Sequence, residues 1–421
     1  MKKLILLIVA TVILFLPEFA QAEVVNDDVK VAFFRDGYLW TKINGKVEQV
    51  TKEPGQYPHP PQWSHDGKWI MYQKDVIATI NECKEVQSEI WVYNVTEKKH
   101  QKIFYDGYGP KWSPKENMIA FQSGGVLNVS DLDKFYNIAL GVNDFNWFPD
   151  GKGFIASSGA SLRPDGWTNP VLYKISLTED YKNHPSLTEN AKRFYTIPKE
   201  LSTDGASIDS INATTFEFSP DHEWISFIVS PTGSLSMDSN MLCVINTDGK
   251  NFSVLDEIIL NLDNPKWVDQ KNILGYIAGG GRIVDGFKNK DMKVTEIPSN
   301  KSLNLTPASY AELGFTWVND NSLIVSRVTE SEWSNDPKQR PKPSLYLLNI
   351  IGQEQTKITN PPADLGDYLP NYIPALKKVA WLRKSEAGDS SDLWIADRDG
   401  KNAQVWIKDI SISGYSVYPQ P

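Results

Sequence analysis

The sequence predicts an all-β protein assembled from repeated four-stranded antiparallel sheets, and three observations predict it. A short motif recurs along the chain: WSHDGKWIMY at Trp63–Tyr72, WSPKENMIAF at Trp112–Phe121, WFPDGKGFIA at Trp147–Ala156, FSPDHEWISF at Phe218–Phe227, WVDQKNILGY at Trp267–Tyr276 and WVNDNSLIVS at Trp317–Ser326, with a weaker copy, YIPALKKVAW, from Tyr372. The leading aromatics stand 49, 35, 71, 49, 50 and 55 residues apart. The intervals hold strand-length segments and no long helical period. One small sheet copied at such intervals describes a single β-propeller, in which each repeat is a blade of a radial array.

The motif itself is a β-hairpin with an apolar anchor at its entrance. In the first copy Trp63 and Ser64 end one short strand, Asp66-Gly67 supplies the positive-φ positions of a tight turn, and Trp69–Tyr72 begins the partner strand. Repeating at blade period, Trp63, Trp112, Trp147, Phe218, Trp267 and Trp317 read as structural blade anchors packed between neighbouring blades.

At the start of the chain, Lys2 and Lys3, the apolar run Leu4–Leu16 and the triplet Ala20-Gln21-Ala22 describe a secretory signal peptide over residues 1–22, leaving 23–421 to the propeller. The run is short for a membrane span, so none is expected after signal removal, and the location is read as secreted or periplasmic. The formal net charge is −9 with no basic block, which argues against nucleic acid as a partner. Cys83 and Cys243 fall in different repeats without a spacing pattern, and a chain of this length has no need of a disulfide staple.

Val29–Thr51 reads as three strands divided by Asp36-Gly37 and Asn44-Gly45, a blade without its innermost strand. The last stretch, SISGYSVYPQP from Ser411, resembles the lead-in EPGQYPHPPQ before the first anchor. It is expected to donate the missing strand, so that the amino- and carboxyl-terminal strands share a blade and no sheet edge stays unpaired. Seven anchored blades and the shared one make eight, with seven as the alternative. Third strands are read at Glu89–Asn94, Val126–Asp131, Val171–Ser176, Met241–Asn246, Ser344–Asn349 and Asp392–Asp397. The polar segments Lys74–Ser88, Ser157–Asn169, Ser230–Asn240, Arg327–Pro343 and Arg383–Ser391 read as variable connections sharing one face of the disc, and Thr178–Thr215 as a surface excursion.

The anchored repeats, together with DLWIADRDGK at Asp392–Lys401 and KITNPP at Lys357–Pro362, resemble the WD40-like repeat of TolB-type propeller proteins over almost all of the chain after the signal. TolB itself adds an amino-terminal α/β domain to six blades and acts through protein partners. No room for that domain is read before Val29, so the resemblance implies a TolB-like propeller rather than TolB. The same repeats occur in prolyl peptidases ahead of a hydrolase domain, which is not expected in a chain ending at Pro421. Oligogalacturonate lyase propellers, a third relative, hold a metal with histidines in the channel.

A search for chemistry assigns no catalytic residue, no metal ligand and no cofactor. GSLSM at Gly233–Met237 lacks the closing glycine of a nucleophile elbow, which leaves Ser236 a loop residue. Gly279-Gly280-Gly281 is followed by Arg282 and not by the Lys-Ser/Thr of a phosphate loop, and the pairs Asp131/Asp133 and Asp397/Asp399 are explained by turns. Of five histidines, none in metal-ligand spacing, His59 is retained as a binding candidate because it stands in a lead-in near the channel mouth. Trp167 with Arg163, and Trp333 with Arg340, lie in variable connections and are of the types enriched at binding hot spots. The sequence therefore leads to the expectation of an exported, non-enzymatic propeller that binds a protein or peptide partner in the cell envelope or extracellular space. The alternative is a propeller that binds or degrades polysaccharide, with carbohydrate as its ligand.

Overall fold

The computed structural model describes residues 29–421 apart from 81–82, 179, 184–185, 204, 234–238, 260–261, 281–285, 386–387, 389, 412 and 419–421. The expected signal peptide, His184, Ser236, Gly281 and Arg282 lie outside the described residues. Regular structure is almost entirely strand, grouped in chain order into four-stranded antiparallel units.

The first unit joins Val31–Arg35, Tyr38–Ile43 and Lys46–Gln49 to the carboxyl-terminal strand Tyr415–Val417. Units two to eight begin at their inner strands Gln62–Trp63, Tyr108–Trp112, Asp144–Trp147, Asn212–Phe218, Lys266–Trp267, Tyr310–Asn319 and Gly366–Ile373. Among the described residues the fifth and sixth units meet through the pair Ile258–Ala278 and so form one eight-stranded sheet.

The core lies in the seams between units. Phe145 and Phe154 of the fourth pack against Ala120, Leu127 and Val129 of the third. Ile155 and Leu172, from the same fourth unit, pack against Phe216, Phe227 and Val229 of the fifth. Strand alternation makes this arrangement work, because successive side chains of a middle strand face opposite neighbours. The last seam joins Ala380, Leu382, Leu393 and Ile395 of the eighth unit to Val31 and Phe33 of the first, which closes the ring.

Closure depends on the shared first sheet. Val31 pairs with Val417 and Phe33 with Tyr415. Just beyond the strand, the Tyr418 N–H donates to Lys30 O (2.8 Å) and its hydroxyl to His65 O (3.1 Å). The Tyr418 ring covers Gly67, whose φ is +63°, and a Cβ there would come within 2.6 Å of it. Glycine is thus required at this turn both by its backbone conformation and by the clamp above it.

Each anchor tryptophan ties its unit to the one before. The indole N–H of Trp112 donates to Gln62 O (3.1 Å), that of Trp147 to Lys111 O (3.1 Å), that of Trp267 to Glu217 O (3.4 Å) and that of Trp317 to Lys266 O (2.9 Å). Trp63 reaches Ser416 O across the closing seam (3.3 Å). The Ser-x-Asp part of the motif is a local turn lock. Ser64 Oγ donates to Asp66 Oδ1 (2.7 Å) and accepts from the Trp69 N–H (3.1 Å), and Ser219 and Asp221 repeat the pattern. Burial works against the Asp66 charge, but donors from Asn117, Ser64 and Lys68 outweigh it and hold the carboxyl well below the usual range.

Two segments differ from the sequence reading. Lys74–Ser88 continues two strands, Trp69–Ile80 and Cys83–Asn94, as a long hairpin arm in place of a loop. Its composition is polar because it carries little core, while its β-branched residues still suit a ribbon. Within Thr178–Thr215 the chain forms the outer strand Ala191–Thr196 of the fourth unit and a small hairpin, Glu200–Ser202 with Ser207–Asp209.

Candidate functional site

The residue just before each anchor belongs to the inner strand and forms a column around the ring: Gln62, Lys111, Asn146, Glu217, Lys266, Thr316 and Asn371. A cavity of 650 Å³ touches the inner strands of four consecutive units through Trp112, Trp147, Phe218 and Trp267, with Asn146, Glu217 and Lys266 in its wall. Only the axis of a ring brings four inner strands to one space.

Hydrogen bonds run around this column in one direction. Gln62 Nε2 donates to Pro110 O (3.4 Å), Lys111 Nζ to Phe145 O, Asn146 Nδ2 to Phe216 O (2.6 Å) and Lys266 Nζ to Phe315 O (2.8 Å). In every case the acceptor is the carbonyl immediately before the corresponding residue of the next unit. Carboxylates two or three places earlier add a second tie: Asp144 accepts from the Thr215 N–H (2.8 Å) and Asp263 from the Phe315 N–H (2.9 Å).

Glu217 interrupts the series. An ionised carboxylate has no proton for the matching carbonyl, that of Pro265. Among the described residues no hydrogen bond or ion pair engages its side chain. The side chain is open to the cavity yet enclosed by surrounding strands, and this enclosure pushes its pKa above the ordinary carboxylate value, opposed by Lys111 and reinforced by Asp144. The two lysines of the column are already held, Lys111 beside Asp144 (3.9 Å) and Lys266 on Asp263 (2.8 Å). The site therefore combines indole and phenyl walls, satisfied donors and two carboxylates unengaged among the described residues, Glu217 within the column and Asp269 beside it in the lining.

The residues singled out in the sequence fall elsewhere. Leu162–Arg163 and Gly166–Trp167 form a short hairpin with Arg163 exposed and Trp167 half-buried. Trp333 lies between the ring of Phe287 (6.2 Å, 19° between planes) and the guanidinium of Arg340 (3.7 Å), and Arg340 Nε donates to Ser334 O (2.8 Å). These two pairs belong to connections of the fourth and seventh units, which are not neighbours in the ring. His59 lies exposed in the lead-in to the second unit. Motif searching passes over Lys111, Glu217 and Lys266. Alignment of the repeats on their anchors would have shown Glu217 as the one acid in a column of amides, lysines and a threonine.

No protein-family model matches the chain, and no curated protein sequence matches it. In structure it is similar to a eukaryotic initiation factor, with a TM-score of 0.58 and 10% identity over 94% of this chain and 89% of that one. It is similar to dipeptidyl peptidase 4 of Porphyromonas gingivalis, with a TM-score of 0.54 and 10% identity over 92% and 58% of the two chains. A third similarity is to puromycin hydrolase, with a TM-score of 0.50 and 10% identity over 86% and 55%. The chain thus spans somewhat over half the length of these two hydrolytic enzymes.

These likenesses overturn the expectation of a non-enzymatic scaffold with a polysaccharide propeller as its alternative. The error was to read the lack of a catalytic motif in the repeats as the lack of an enzymatic role. Here the matched region is about half of a peptidase chain, so a propeller free of such motifs says nothing against one. A solved TolB superposes with a TM-score of only 0.38, too low to carry the TolB resemblance. What the neighbours show is the β-propeller fold.

Proposed function

We propose that this chain serves peptide breakdown, as the propeller that takes up the peptide at its axis. The carrying observation is the axial cavity, 650 Å³ with aromatic walls from four units and the unengaged carboxylates of Glu217 and Asp269 in its lining. Apolar walls with few, fixed polar groups are the general form of a ligand site. The presence of peptidases among the structures of similar fold supports peptide as the ligand class. The repeat residues support a TolB-type propeller as the finer family reading, and the signal-like start supports export, for which amino-terminal sequencing should find a mature chain beginning at Glu23.

The test is a panel of short peptides titrated into the purified chain, with binding followed by calorimetry and cleavage by mass spectrometry. A subset should bind and alter the fluorescence of the axial tryptophans. Cleavage would place hydrolysis on this chain, and binding without cleavage would give it the receiving role. If no peptide in the panel binds, the proposal falls.

A further inference from the structure

Four members of the axial column donate to the next unit, and Glu217, the one acid at this position, has the chemistry of a binding group. We infer that Glu217 recognises a primary ammonium group, from the amino terminus or a lysine side chain of a peptide in the axial cavity. This inference rests on the peptide-uptake reading and deepens it.

Four observations converge on Glu217. Gln62, Lys111, Asn146 and Lys266 donate from this position to the next unit, Thr316 instead donates within its own unit and accepts from the Tyr372 N–H, and Gln62 shows that an amide one atom different from glutamate makes the tie. The Glu217 side chain is exposed to the cavity and has no partner among the described residues, so a bound ammonium would gain a charge-assisted bond there without breaking an existing one. The nearby ammonium groups are committed elsewhere, Lys111 to Phe145 O and Asp144, Lys266 to Phe315 O and Asp263. The walls include Trp112, Trp147 and Trp267, whose ring faces attract cations. An ammonium brought here would donate to the Glu217 carboxylate and could also reach the Pro265 carbonyl that the column leaves without its usual donor.

The pH behaviour follows in sign. Enclosure raises the Glu217 pKa, so ammonium binding, which needs the carboxylate, is lost as pH falls through that raised value. Lys111, Asp144, Lys266 and Asp263 stand around the group, with His222 and Asp269 at the rim of the cavity. A pH series therefore has to be repeated on the variant.

The experiment titrates tyramine and N-acetyltyramine into the full chain and into Glu217→Gln. It continues with Ala-Ala-Phe, its N-acetyl form, and N-acetyl-Ala-Lys-Phe, which separate an amino terminus from a lysine. The amines should bind about 10- to 100-fold more tightly than their acetylated forms, as expected for a charge-assisted bond. Glu217→Gln should abolish that preference without lowering the melting temperature. The preference should fade on acidification in the natural chain, a readout that stands even if the variant folds poorly. Equal affinity for amine and amide, or a preference kept in Glu217→Gln, overturns the inference. If tyramine shows the preference but no peptide binds, the inference stands and the peptide-uptake reading falls. If peptides bind without regard to the amine or Glu217, the reading stands and the inference falls.

Discussion

Removal of residues 415–421 is the most direct test of how the ring holds together. The truncation deletes the strand that pairs Val31 with Val417, Ala32 with Ser416 and Phe33 with Tyr415. It also removes the acceptor of the Trp63 indole, the two bonds of Tyr418 and the packing of Tyr418 on Trp63, whose ring centroids lie 6.0 Å apart. At about 1 kcal/mol for each of the three bonds and about 1.5 kcal/mol for each of the two tyrosine rings, the loss is about 6 kcal/mol before the ladder itself is counted. A domain holds about 5–15 kcal/mol in all, so the truncated chain should sit near the edge of folding. The freed edge of Val31–Arg35 adds an aggregation hazard. Urea unfolding followed by circular dichroism, with size-exclusion chromatography of the native protein, reads both effects. Tyr418→Ala, expected to cost about 1–3 kcal/mol, gives a graded point while the chain stays folded. An unchanged midpoint in the truncation would show that the terminal strand does not hold the ring.

Other perturbations follow from the same seams. Trp147→Ala should cost about 3–5 kcal/mol as a buried aromatic, and Trp147→Phe a smaller amount, near the roughly 1 kcal/mol of its bond to Lys111 O, both read by chemical denaturation. Glu312 and Arg327 form a buried ion pair at 2.6 Å, so Glu312→Ala should cost about 3–5 kcal/mol by leaving the guanidinium unpaired, while Glu312→Leu with Arg327→Met should cost less. Asp66 and Asp221 have depressed carboxyl pKa values in the folded chain, so their stabilisation is present above the ordinary aspartate value and lost as pH falls through the folded one. Asp66→Asn should lower stability at pH 7 and flatten the acid limb of a melting-temperature profile. In the native protein a thiol reagent should modify the exposed Cys83 and spare Cys243, whose burial raises its pKa, with both reacting in denaturant.

What could be read from the sequence was set by how local its cause is. The hairpin of each repeat is legible because Ser64, Asp66 and Gly67 make their turn within a few residues, and the same chemistry recurs at Ser219 and Asp221. The donated strand was legible because Ser411–Pro421 repeats the composition of another lead-in. The outer strand Ala191–Thr196 was not, since a fringe strand pairs along one edge and buries little, so its apolar pattern is weak. The hairpin arm across Lys74–Ser88 was hidden for the same reason. Trp333 and Arg340 were noticed as residue types, but that the indole is covered by Phe287 depends on a connection from another unit.

Glu217 shows why the candidate site was harder to see than the fold. Its meaning does not come from its own neighbours in sequence, Phe216 and Phe218, but from six residues elsewhere in the chain that occupy the same column. A repeat protein builds one interaction several times, and each copy states what the position needs for stability. Where most copies supply a donor and one supplies a lone acid, stability accounts for the many and fails to account for the one. The same comparison separates the tryptophans, which recur with the same inter-unit bond and are explained by it, from the carboxylate, which has no bond among the described residues. A charged group that makes no bond to the next unit, faces a cavity and departs from its own repeat is where function is to be sought in a ring of this kind.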